Sequence, residues 1–154
     1  MYHFFLGDME LPLAPEKYVV RMYKGSQVLD MADGTQMSLL RPGGLKRIAF
    51  EFLLPHWSGE PMLQNGVEVH KPVYYLNRLA EWYKAAEPRR LVIYRAVPGG
   101  EECFHTDMQV SLEKYQVTEA AEQGFDVRVA VELLEYVARS TRRYSGAAAL
   151  GGGR

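Results

Sequence analysis

The chain has 154 residues, 47% of them hydrophobic and 24% charged, with a formal net charge of −1. That length supports one domain with a genuine core, and the balance excludes both a disordered composition and the basic surplus of a non-specific nucleic-acid binder. The lone cysteine, Cys103, excludes an intrachain disulfide framework and a cysteine-rich metal site, and it is compatible with a reducing compartment. The first residues lack the basic start and long apolar core of an export signal. No apolar run approaches the roughly 20 residues that span a bilayer, so a soluble protein without a membrane partner is expected.

In chain order, residues 4–13 are apolar but broken by Gly7 and Pro12, which predicts a short edge strand followed by an irregular arm. Residues 17–23 alternate, with Tyr18, Val20 and Met22 on one parity, and predict a second strand. Asp33-Gly34 is a hairpin signal between 27–31 and 35–40. Residues 45–54 form a strong strand pattern, Ile48, Phe50 and Phe52 alternating with Arg47, Ala49 and Glu51 until Pro55 ends it. Residues 55–71 hold Trp57, Gly59, Pro61, Asn65 and Gly66 with no sustained period, and predict a long surface loop.

A helix is predicted over about 72–86, with Pro72 in its first turn and Pro88 beyond its end. Val73, Leu76, Leu79, Ala80 and Tyr83 form its apolar stripe, and Trp82 beside them helps cover the sheet. A strand over 91–97 and a Pro98-Gly99-Gly100 turn follow. Next come Met108, Val110 and Leu112 against Gln109, Ser111 and Glu113; the apolar parity then flips to Tyr115 and Val117, so a bulge or bend is expected near Glu113-Lys114. After a turn at 118–124, Phe125, Val127, Val129, Val131 and Leu133 alternate with Asp126, Arg128, Ala130 and Glu132. These two strands suit an antiparallel pair. Residues 145–154 are Gly- and Ala-rich and are expected to be a flexible tail or linker after a folded part over 1–144. Several strands, one helix and more strands predict a mainly β (α+β) antiparallel sandwich or barrel with one flanking helix.

Candidate chemistry is sparse. Cys103 and His105 are two apart and on a strand would share a face, the minimum for a thiolate–imidazole nucleophile, but no oxyanion-hole motif accompanies them. His3, His56, His70 and His105 are dispersed without metal-ligand spacing. The Gly151-Gly152-Gly153 run lacks the lysine and hydroxyl residue of a phosphate loop. Aromatic residues are numerous, and Tyr74 and Tyr75, with Tyr2, Phe4 and Phe5, suit either a sugar or nucleic-acid platform or a core and subunit interface. No catalytic residue, cofactor or metal is expected, and a binding or assembly role is favoured over enzymatic activity.

The ordered segments FFLGDMELP (4–12), IAFEFLLP (48–55), KPVYYL (71–76), VSLEKYQVTEA (110–120) and GFDVRV (124–129) carry a family likeness. Their succession resembles the N-terminal domain of LysM-type baseplate proteins from contractile phage tails and phage-like particles. The resemblance implies a tail-tube fold like that of tube-initiator proteins of contractile injection systems. It further implies a homohexameric ring linking the spike-bearing hub to the tail-tube protein, among baseplate wedge proteins. Its place would be the particle's baseplate, after synthesis in the bacterial cytoplasm, and its lumen could pass DNA. Relatives commonly continue into a LysM domain, whereas this sequence stops after Gly151-Gly152-Gly153-Arg154, so direct glycan binding is not expected. Within that reading the candidate interface residues are Phe4, Phe5, Leu6 and Trp57, apolar groups in segments expected to contribute little to the core. The candidate lumen-facing residues are Arg128 and Glu132, opposite Val127, Val129 and Val131. The alternatives are a carbohydrate (cell-wall)-binding β-sandwich module and a small hydrolase using Cys103 and His105.

Overall fold

The computed structural model describes residues 2–56 and 67–139. In chain order the elements are β1 (Tyr2–Leu6), β2 (Met9–Glu10), β3 (Tyr18–Arg21), β4 (Gln27–Asp30), β5 (Gln36–Leu39), β6 (Arg47–Leu54), α1 (Pro72–Ala85), β7 (Arg89–Ala96), β8 (Glu102–Glu119), a 3-10 turn (Ala121–Gln123) and β9 (Val127–Glu135). Seven strands form one antiparallel sheet in the order β2-β1-β7-β8-β9-β6-β3, and β4 and β5 form a separate two-stranded ribbon. This is the mainly β architecture with a flanking helix that the alternation predicts.

The sheet rolls until its two ends face each other. Phe4, near one end, meets Phe50 at 5.8 Å and Tyr18 at 6.0 Å between ring centroids, although β1 and β6 are far apart in strand order. Period-two side-chain alternation then places one face of every strand in a shared interior. Opposed across β6 and β9, Ile48 pairs with Leu133, Phe50 with Val131 and Phe52 with Val129, and all six are buried.

β8 makes the roll possible. Its 18 residues pair with β7 through Val110 and with β9 from Val110 onward. A register shift between Leu112 and Lys114 leaves Glu113 extra. Before the shift Val110 and Leu112 point inward; after it Tyr115 and Val117 oppose Val131 and Val129. The bulge predicted from the parity flip is therefore present, and the bend it introduces carries the strand from one wall to the other.

Helix α1 packs along the interior side. Pro72, Tyr75, Leu79 and Trp82 are its buried residues, and Tyr83 reaches Tyr115 at 5.6 Å. The predicted stripe is rotated: Val73 and Tyr83 are exposed, while Tyr75 and Trp82 carry the burial. These large amphipathic side chains bury their rings and satisfy their polar ends locally. The Tyr75 hydroxyl accepts from the His70 N–H at 3.2 Å, and Trp82 Nε1 donates to the Glu87 carbonyl at 2.8 Å.

Three further expectations are corrected. β1 is not an edge strand, because the two-residue β2 takes that position and β1 lies between it and β7. Phe4 and Leu6 belong to the core, at 3% and 1% exposure, because β1 is hydrogen-bonded on both sides and turns this parity inward. Phe125 precedes β9 and is 81% exposed, its ring near that of His56, so it does not extend the buried row of that strand.

Candidate assembly surfaces

The outward face of β6, β9 and the second half of β8 is lined by the alternate residues. Register places Glu51 beside Ala130, Leu53 beside Arg128, Ala49 beside Glu132 and Lys114 beside Glu132. Arg128 and Glu132 are both exposed, opposite the buried Val127, Val129 and Val131. Each is in an ion pair: Arg128 Nη1 with Glu51 Oε1 at 2.9 Å, and Lys114 Nζ with Glu132 Oε1 at 3.9 Å. Further along, Arg90 donates to Asp107 through Nε at 2.6 Å and also through Nη2. These three contacts are opposite-sign cross-strand pairs, whereas the exposed Arg47 lies opposite Arg21.

The outward face of β1 and β7 has a different character. Phe5 lies opposite Val92, and His3 opposite Tyr94; all four are half-buried. The His3 ring stacks with Phe5 at 6.5 Å and approaches Tyr94 at 6.4 Å, while its Nδ1 is 2.8 Å from Glu10 Oε1. Of the candidate interface residues, Phe5 is on this outward aromatic patch, Phe4 and Leu6 face the core, and Trp57 lies outside the described residues.

The ribbon of β4 and β5 stands apart. Both strands are exposed at every position. Its register opposes Leu29 to Met37 and Gln27 to Leu39, so Leu29, Met37 and Leu39 share one face, while Val28, Asp30, Gln36 and Ser38 take the other. The turn is shaped by Asp33 Oδ1, which accepts from the Thr35 N–H at 2.9 Å and its hydroxyl at 2.6 Å, and by Gly34 at φ 84°. At the base, the Gly44 N–H donates to the Tyr23 carbonyl at 2.8 Å, and a Cβ at Gly44 would sit 2.9 Å from that oxygen. Glycine is required there by close backbone approach. A two-stranded ribbon is marginal alone in water, and this one leaves its apolar face open, with Leu29 at 42% and Met37 at 46% exposure. The sequence predicts the hairpin but not its separation from the sheet; its exposed face is foreshadowed by the odd-numbered apolar series Leu29, Met31, Met37 and Leu39.

The residues weighed for catalysis and sugar binding do not assemble. Cys103 is exposed and free, and His105 Nδ1 is engaged by Glu102 Oε1 at 2.9 Å rather than by the thiol. Tyr75 is in the core, which removes it from any aromatic platform with Tyr74. Among the described residues no group of three or more His, Cys, Asp or Glu side chains is placed to hold a metal ion, and no helix is long and apolar enough to cross a membrane.

No protein-family model and no curated protein matches this sequence. Solved structures share its fold. The sheath/tube terminator of the extracellular contractile injection system PVC, in the extended state, is 10% identical, with a TM-score of 0.55 over 88% of this chain and 89% of that one. The tube-terminating cap of the anti-feeding prophage AFP is 12% identical, with a TM-score of 0.53 over 87% and 83%. A chain of the PVC sheath-tube complex in the extended state is 10% identical, with a TM-score of 0.53 over 88% and 84%.

Proposed function

We propose that this chain is a non-enzymatic ring subunit at one end of the inner tube of a contractile injection particle. The observation that carries the reading is the β4–β5 ribbon, whose apolar face is left uncovered by the described residues. Burying it against a neighbour removes Leu29, Met37 and Leu39 from water, and a head-to-tail contact of that kind generates a ring when its rotation closes. The fold shared with tube-end structures supports this reading. In a six-fold ring the face bearing Arg128 and Glu132 lines the lumen, with each of these two residues held in a cross-strand ion pair. Phe5 and its aromatic neighbours meet an adjoining subunit or ring.

At the baseplate the subunit would act as tube initiator and hub-to-tube adaptor, seated between the spike-bearing hub and the tail-tube protein, as in LysM-type baseplate proteins. A second position, at the distal end as a terminator, is favoured by the likeness to the PVC terminator and the AFP cap. Gold labelling of a tagged copy in purified particles separates the two. Label at the spike end supports the initiator, label at the opposite end the terminator, and particles without label refute both.

A further inference from the structure

Arg95 stands where β7 otherwise turns apolar side chains inward. Leu91 and Ile93, at the same parity, are fully buried, and Arg95 itself is 8% exposed. In the sheet it lies between Tyr2 on β1 and Phe104 on β8. Its guanidinium carbon is 4.2 Å from the Phe104 ring centre, 5.8 Å from Tyr18 and 5.9 Å from Tyr2. Among the described residues it makes one hydrogen bond, from Nη1 to the Thr106 hydroxyl at 2.9 Å. A guanidinium carries five N–H donors, and the ion pairs found among the described residues all belong to other cations. Aromatic faces attract the charge, but they do not satisfy the remaining donors.

A second unsatisfied group stands beside it. The Tyr18 hydroxyl is buried without a hydrogen-bond partner among the described residues. Burial pushes this phenol up, and the Arg95 charge acts in the opposite direction. Both residues line one open cavity of about 820 Å³, between β3 and the adjoining ends of β1, β7 and β8. Its carboxylates are Glu16, exposed at the rim, and Asp107, already held by Arg90. A buried cation without a counter-ion is costly and so is a buried orphan hydroxyl. One planar, singly charged oxyanion matches the guanidinium in a two-point fork, and the Tyr18 hydroxyl, whose residue lines the same cavity, can donate to it once the ring turns toward the anion.

We propose that this cavity is a carboxylate-binding site, in which Arg95 and Tyr18 hold the anion and the Tyr2 and Phe104 rings flank the group that carries it. The cavity also touches Met22 and Lys46, beside the points where the ribbon leaves and rejoins the sheet. That continuity with the proposed contact region points to an acidic side chain of another copy of this chain as the source. The source rests on the ring reading; the site does not.

Thermal unfolding of the full chain with sodium benzoate, at constant ionic strength and with neutral benzamide as the control, tests the site. A saturable rise in Tm is expected for benzoate alone, lost in Arg95→Met and weakened several-fold in Tyr18→Phe. Without benzoate, Arg95→Met is expected to melt at or above the wild-type temperature, because it removes an unpaired buried charge; a purely structural arginine would lower it. No response beyond benzamide, or an unchanged response in Arg95→Met, overturns the site. If Arg95→Met does not fold, an undiminished response in Tyr18→Phe does the same. A response that arises only in Glu16→Gln assigns the cavity to the chain's own carboxylate and overturns it as well. Sedimentation then tests the source: weaker self-association of Arg95→Met supports another copy, whereas equal association overturns that source and leaves the ring reading standing.

Discussion

Val73 and Leu79 on α1 show how little a side chain's chemistry says without its direction. Both belong to the apolar stripe read from spacing, yet Val73 is 58% exposed and Leu79 fully buried. Leu79→Ala is therefore expected to cost about 2–5 kcal/mol of unfolding free energy, and Val73→Ala to stay within about 0.5 kcal/mol; urea titration of both variants checks this. Spacing of three and four residues identifies a helix, but several adjacent faces of α1 carry apolar or aromatic groups. Packing selected the face with Tyr75 and Trp82, whose polar ends find carbonyl and N–H partners in the flanking loops. The same logic separates Phe5 from Phe4 and Leu6: alternation put them on different faces, and only the pairing of β1 with β7 decided which face was interior.

At the scale of elements, β8 and the β4–β5 ribbon were unequally legible. The β8 bulge was written in the sequence, because a change of parity between Leu112 and Tyr115 has no other solution in a strand with one buried face. The ribbon's turn was equally plain, but its isolation was not, since nothing local says whether a hairpin will join a larger sheet. Replacing residues 27–39 with a short Gly-Ser link is expected to change the stability of the isolated chain by less than about 1 kcal/mol, because among the described residues the two strands of the ribbon pair only with each other and loop closure costs vary slowly with length. The same deletion is expected to abolish ring or tube association. Guanidinium chloride unfolding and analytical ultracentrifugation measure the two effects, and a large loss of monomer stability would show that the ribbon supports the sheet instead.

For the whole molecule, 18 basic against 19 acidic residues give a net charge of −1, and several of these charges are also paired locally. Arg78 bonded to Asp8, Thr35 bonded to Asp33 and Arg90 bonded to Asp107 each hold a carboxyl below its ordinary value of 3.8. A group whose pKa is depressed by folding contributes its stabilisation in full above the unfolded value and loses it as pH falls through the folded one. The difference in Tm between wild type and Asp107→Asn is accordingly expected to be constant above about pH 5 and to vanish well below pH 3.8. Calorimetric melts across that range check the sign; a difference that grew toward acid would contradict it.

Alternation and turn chemistry by themselves determined most of the strands, the helix and the bulge, because each depends on residues within a few positions of one another. The tertiary structure alone decided which end of the sheet meets which, that β1 is interior, that the ribbon stands free, and that Arg95 and Tyr18 share a cavity. Those outcomes depend on strands distant in sequence being rolled into contact. Chain-local periodicity carries no information about that closure, whereas burial and unmet hydrogen-bonding capacity register it directly.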